Sequence, residues 1–89
     1  MRLKPKIKVE QKDLSSLLLC TFRYALGRRT YIVSECCEWL TQYWDIIPEG
    51  WREQIHSDIR HAIEHDMAGD KCDVESWRMI LKLPSEFKR

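Results

Sequence analysis

Residues 13 to 27 read Asp-Leu-Ser-Ser-Leu-Leu-Leu-Cys-Thr-Phe-Arg-Tyr-Ala-Leu-Gly, and this stretch decides the fold class. Leu14, Leu17, Leu18, Leu19, Phe22, Ala25 and Leu26 recur at i, i+3 and i+4, the spacing that gathers side chains on one face of an α-helix. A strand would alternate with period two, and this stretch does not. Asp13 is the expected N-cap and Gly27 the expected stop. The Leu17 to Leu19 triplet covers most of one turn, so burial against more than one neighbour is expected.

Downstream, Thr30 is placed to cap a second helix, in which Ile32, Val33, Cys36, Trp39, Leu40 and Tyr43 recur at helical spacing up to about Trp44. Pro48 suits the first turn of a third helix, where its missing N–H is not needed. That helix is expected to reach about Ala68, with Trp51, Ile55, Ile59 and Ile63 at four-residue spacing and Gly69 ending it. Asp73 is read as the cap of a short fourth helix carrying Val74, Trp77, Ile80 and Leu81, stopped by Pro84. Upstream, residues 1 to 12 place Leu3, Ile7 and Val9 at odd positions and Arg2, Lys4, Lys6 and Lys8 at even ones. That alternation suits an extended arm or a single edge strand, with Pro5 keeping it out of a sheet centre. The expected architecture is all-α: a small bundle of about four helices, with a basic arm at 1–12, a helical domain at 13–84 and a charged tail at 85–89.

Composition agrees with this. Eighty-nine residues, 44% hydrophobic and 33% charged, supply one core and not two. Three Gly, three Pro and no repeat argue against disorder and solenoid arrays. The longest apolar run, Leu17 to Cys20, is far short of the roughly 20 residues that span a bilayer. A secretory signal fails too, because bulky Leu19 precedes Cys20 and Arg23 follows closely. The expected compartment is cytoplasmic. Cys20, Cys36, Cys37 and Cys72 are read as free thiols, since neighbouring Cys36 and Cys37 do not comfortably pair.

The net charge of +1 conceals a split: residues 1 to 33 hold eight Lys or Arg against two acids, and residues 34 to 89 hold seven against twelve. The basic front suits phosphates or an acidic partner, and the acidic back suits a basic surface or the front of another copy. Neutralisation within one chain explains the same split.

The candidate ligand-binding residues are Arg23, Tyr24, Arg28, Arg29, Thr30 and Tyr31, around the turn that feeds the second helix. Arginine forks bind phosphate bidentately, a helix N-terminus presents unpaired N–H groups, and tyrosine rings stack on bases. The expected ligand is a nucleotide or nucleic acid. The plainer account is that basic residues favour a helix C-terminus and the tyrosines are half-buried core rings. His61, Glu64 and His65 match the H-x-x-E-H spacing of one zinc-enzyme class, but the third ligand is missing. A structural zinc on Cys72, His65 or the Cys36–Cys37 pair lacks a C-x-x-C knuckle. No metal and no cofactor are expected. A helix-turn-helix reader would place Glu35 and Glu38 against a phosphate-lined groove, which repels them. With no nucleophile constellation, the chain is not expected to be an enzyme. Four tryptophans, Trp39, Trp44, Trp51 and Trp77, exceed what so small a core readily buries, so an exposed Trp and a protein or homo-oligomer contact are expected.

The segment Arg23-Tyr-Ala-Leu-Gly-Arg-Arg-Thr-Tyr31, with Asp73-Val-Glu-Ser-Trp77 closing the pattern, resembles a family of small uncharacterised bacteriophage-encoded proteins over roughly residues 21 to 80. The resemblance implies a counter-defence factor that acts by binding. On that footing the expected function is sequestration of a phosphate-bearing ligand, a nucleotide signal or nucleic acid. The alternative is inhibition of a host defence protein such as a CRISPR nuclease.

Overall fold

The computed structural model describes residues 10–26 and 32–85. Its elements are α1 (Gln11–Ala25), α2 (Ile32–Gln42), a 3₁₀ turn (Trp44–Ile46), α3 (Glu49–Glu64) and α4 (Lys71–Leu81), with no strand among the described residues. The fold is the expected small all-α bundle. Helix α2 lies between α1 and α4, and α4 packs in turn against α3. Phe22, Val33, Leu40, Ile55, Ile59, Trp77 and Ile80 are fully buried where these helices meet. Phe22 meets Trp77 edge-to-face, with centroids 5.5 Å apart and planes at 88°. Such a pair contributes about 0.5–1.5 kcal/mol beyond the area it buries. None of the described helices is long and apolar enough to cross a membrane.

Several boundaries differ from the sequence reading. Helix α1 starts at Gln11 with Glu10 at its N-cap position and no side-chain cap bond, so the basic arm ends before residue 12. Asp13 lies in the first turn, where its carboxylate favours the positive end of the helix. The expected stop Gly27, the expected cap Thr30, arm residues 1–9 and tail residues 86–89 lie outside the described residues. Helix α2 ends at Gln42, because the chain tightens into the 3₁₀ turn that carries Trp44 inward. Helix α3 ends at Glu64 and not at Ala68. Asp66 takes φ 57°, Asp66 N–H donates to the Ile63 carbonyl at 3.3 Å, and Met67 N–H donates to the Ala62 carbonyl at 2.7 Å. This is a Schellman closure with an aspartate, one of the few non-glycine types that visits the left-handed region, at the position glycine usually holds.

Gly69 serves the next helix instead. Its φ of 96° and its approach to Asp73, whose Oδ2 a Cβ would strike, make glycine the fitting residue. The cap of α4 is Asp70, not Asp73: Asp70 Oδ1 accepts from Asp73 N–H at 3.0 Å and Asp73 Oδ2 accepts from Asp70 N–H at 3.2 Å. Two aspartates three residues apart form a reciprocal box, in which the second resembles a cap when read alone.

The buried faces also shift. Helix α3 buries Arg52, Ile55, His56, Ile59 and Ala62, while Trp51 is exposed and Ile63 only partly covered. A strict four-residue spacing drifts around a helix of 3.6 residues per turn, whereas mixed steps of three and four stay on one side. Helix α2 buries Val33, Cys36, Cys37 and Leu40, and turns Trp39 outward. In α1, Leu18 is buried but Leu17 is 62% exposed, so the leucine triplet is not covered all round.

A polar corner fixes the 3₁₀ turn between α1, α3 and the end of α4. Trp44 Nε1 donates to the Pro84 carbonyl at 2.6 Å, and Ser15 Oγ donates to the Ile46 carbonyl at 3.2 Å. Arg52 Nε donates to the Ile47 carbonyl at 2.9 Å, with its guanidinium carbon 5.7 Å from the Trp44 ring centroid. His56 stacks on Trp44 at 5.3 Å and 20°, and its Nε2 lies 3.0 Å from the Ile80 carbonyl. A carbonyl only accepts, so Nε2 carries the proton.

Candidate functional site

Of the six residues singled out in the sequence, the structure describes two. Arg23 lies in the last turn of α1, exposed, where a cation favours the helix C-terminus. Tyr24 beside it is 54% exposed, so it is a surface ring and not a core one. The chain then leaves the helix through Leu26, whose N–H donates to the Phe22 carbonyl at 2.9 Å. Arg28, Arg29, Thr30 and Tyr31 lie outside the described residues. The structure therefore places the first two residues of the predicted site on the surface.

A second surface, not foreseen as a site, runs along α2. Trp39 is 40% exposed and walls two cavities. One, of about 540 Å³, opens between α2 and α4 and is lined by Cys37, Glu38, Trp39 and Gln42 on one side and by Ser76 and Met79 on the other. The other, of about 270 Å³, lies between α1 and the end of α2, where Leu14, Leu17, Leu18 and Thr21 face Trp39, Gln42 and Tyr43. Met79 is 60% exposed and also lines a third hollow with Cys72, Glu75 and Arg78. The result is an open trough across α1, α2 and α4, with Leu17, Trp39 and Met79 standing along it.

The trough is more apolar than its residue types suggest. Thr21 Oγ1 donates to the Leu17 carbonyl at 2.9 Å and Thr41 Oγ1 to the Cys37 carbonyl at 2.8 Å, each one turn back on its own helix. Neither hydroxyl needs a partner from outside. Cys37, at the floor, is pushed up to about 12 by burial first and by Cys36 and Asp73 beside it, and burial pushes Cys36 to about 12 as well. Both thiols are protonated at neutral pH and are poor nucleophiles. All four cysteines are free, with Cys20 and Cys72 exposed.

The His61–Glu64–His65 stretch lies at the end of α3, with the two imidazole centroids 4.3 Å apart and tilted at 42°. Among the described residues, no three His, Cys, Asp or Glu side chains gather as a metal ion would require.

The sequence reading missed two things. Charged Arg52 and His56 fall on the buried face of α3, a placement that the mixed spacing of 52, 55, 56, 59 and 62 signals more faithfully than a four-residue repeat. Trp39 was counted with the apolar stripe of its helix, and the neighbouring Cys37 takes that place in the core. No family model matches the chain, and no curated protein or solved structure matches it either.

Proposed function

We propose that this chain is a non-enzymatic binding protein that counteracts a host defence by seating a protein partner on its Trp39 face. The observation that carries this reading is Trp39 itself, partly exposed and walling two adjoining cavities between exposed Leu17 and Met79. A tryptophan set among apolar neighbours, with Gln42 and Ser76 at hand for hydrogen bonds, has the composition of an interface anchor. Methionine and leucine adapt to a partner's shape at little strain. An open trough fits a segment of another protein better than it fits a small molecule, which buries most of its surface in a closed pocket. The resemblance to phage proteins makes that partner a host defence protein, a CRISPR nuclease being one example. The test is affinity capture from infected cells with tagged wild type and with Trp39→Ala. One host protein captured by the wild type and lost from the variant is expected; equal capture by both overturns the reading. A second copy occupying the same face would appear as a dimer by light scattering.

A phosphate-bearing ligand, nucleotide signal or nucleic acid, is the second reading. It is favoured by Arg23 and Tyr24, neighbours in sequence and both exposed, with Arg28, Arg29, Thr30 and Tyr31 following after three intervening residues. Calorimetric titration with linear and cyclic nucleotides and short oligonucleotides tests it. Binding that weakens with salt and with Arg23→Ala supports it. If no member of the panel binds, the reading fails.

A further inference from the structure

The histidines of α3 and its cap are used in different ways. His56 is buried, with Nε2 3.0 Å from the Ile80 carbonyl. His61 and His65 are exposed, and their rings meet each other, centroids 4.3 Å apart and tilted at 42°. Among the described residues, no hydrogen bond or ion pair engages either of these two rings. Their nitrogens are therefore open to a ligand.

The helix fixes their spacing. His65 N–H donates to the His61 carbonyl at 3.1 Å, so one intact α-helical turn separates them. Residues four apart lie one above the other on a helix face. The closure just beyond, from Asp66 N–H to Ile63 and from Met67 N–H to Ala62, ties down the chain that follows His65. Two nitrogens each bound at about 2 Å to one ion lie about 3 Å apart. Rings with centroids 4.3 Å apart reach that separation by side-chain rotation alone.

The surroundings favour a cation. A helix C-terminus carries partial negative charge, and residues 57 to 67 hold the acids Asp58, Glu64 and Asp66 against one base, Arg60. His61 lines a hollow of about 190 Å³ with Asp58, Ala62, Met67 and Leu26, which leaves room beside the ring for an ion's water ligands. Imidazole suits zinc, copper and nickel, whereas magnesium and calcium take oxygen ligands. Two protein ligands are fewer than the four of a structural zinc site, so such an ion exchanges with solvent and the fold does not depend on it.

We propose that His61 and His65 form a two-imidazole site for an exchangeable late first-row divalent cation, zinc, copper or nickel, whose remaining positions are filled by water. The ion binds the folded turn better than the unfolded chain, in which the two rings are not held together, and so stabilises the end of α3. The site shares no lining residue with the Trp39 trough and does not rest on the protein-binding reading.

Calorimetric titration with nickel tests this on the untagged full chain, with Cys20→Ser and Cys72→Ser removing the two exposed thiols. One ion per chain is expected. His61→Gln and His65→Gln should each weaken nickel binding tenfold or more, because loss of one ring removes the effective-concentration advantage of two linked ligands. Both side chains are exposed, so melts of these variants without metal should match the parent. In the parent, saturating nickel should raise the melting temperature by roughly 4 °C or more. Magnesium should not, and the nickel shift should vanish in each histidine variant. Equal nickel affinity in the parent and both variants overturns the proposal. So does a melting temperature that nickel leaves unmoved or that magnesium raises equally. One ion per two chains overturns the single-chain assignment in favour of a site shared between two copies.

Discussion

Two tryptophans separated by four residues, Trp39 and Trp44, do opposite jobs. Trp44 is buried, its indole N–H donates to Pro84, and His56 and Arg52 lie against its ring. Trp39 stands partly in solvent on the outer face of a regular helix. The difference follows from where backbone acceptors are left over. The carbonyls used by Ser15, Arg52 and Trp44 belong to Ile46, Ile47 and Pro84, at or beyond the ends of elements, where the helical ladder no longer uses every carbonyl, while His56 shares the Ile80 carbonyl in the last turn of α4 with the Leu83 N–H. Irregular backbone at one corner thus draws polar and amphipathic side chains inward. The middle of α2 has spent its acceptors within the helix and on Thr41, so an aromatic ring there has only apolar contact to gain.

Core substitutions should break this contrast most severely. Trp77→Ala removes the largest fully buried side chain, together with its edge contact to Phe22. It should cost about 3–5 kcal/mol, measured by urea unfolding followed by circular dichroism. Trp77→Phe should cost clearly less, because Trp77 Nε1 is buried with no hydrogen-bond partner among the described residues and its removal relieves that penalty. Arg52→Ala comes next, at about 2–4 kcal/mol in the same assay. It empties a site 1% exposed and strands the Ile47 carbonyl.

The contrast also explains what the sequence made legible. Four helices in the right order were readable because Leu18, Phe22, Leu40, Ile55, Ile59, Trp77 and Ile80 keep helical spacing, and periodicity survives errors at single positions. Helix ends were not, because aspartate does several jobs here. Asp13 occupies a first turn, Asp66 a left-handed stop, Asp70 a cap and Asp73 the reciprocal partner of that cap. Arg52 and His56 were invisible as core residues, since their burial depends on carbonyls from Ile47 and Ile80 that only the folded chain brings near. The Trp39 trough was legible only as an excess of tryptophan. Which ones face outward is set by α4 packing on the Cys37 side of α2, a tertiary fact. Of the Arg23–Tyr31 segment, the structure describes Arg23 and Tyr24 on the surface, and Arg28 to Tyr31 lie outside the described residues.

Acid sharpens the same comparison. Burial lowers the pKa of His56 below its ordinary 6.5, the Ile80 carbonyl opposes this by accepting from the ring, and Arg60 lowers it further. The unfolded chain therefore takes up a proton near pH 6.5 that the folded chain still refuses. The stability contributed by the neutral ring is complete above that pH and is lost as pH falls toward the folded value, at no more than about 1.4 kcal/mol per pH unit. Unfolding midpoints measured between about pH 7 and pH 5 should fall less in His56→Gln than in wild type. An equal fall in both would place the acid sensitivity elsewhere.

The smallest expected effect on stability is the one that bears most on function. Trp39→Ala removes a ring that is 40% exposed, lies apart from the polar corner around Trp44 and stands over open cavities, so the surrounding side chains lose contact on one side only. The change in unfolding free energy should be within about 1 kcal/mol, several times smaller than for Trp77→Ala. If Trp39 serves only as packing, nothing beyond that small change follows. If it anchors a partner, the same variant should lose host-protein capture by tenfold or more, since a central aromatic anchor is worth about 2 kcal/mol or more of binding. A variant that unfolds as readily as Trp77→Ala would make Trp39 a core residue and remove the contrast. A fully stable variant with unimpaired capture would leave the trough as surface without this role.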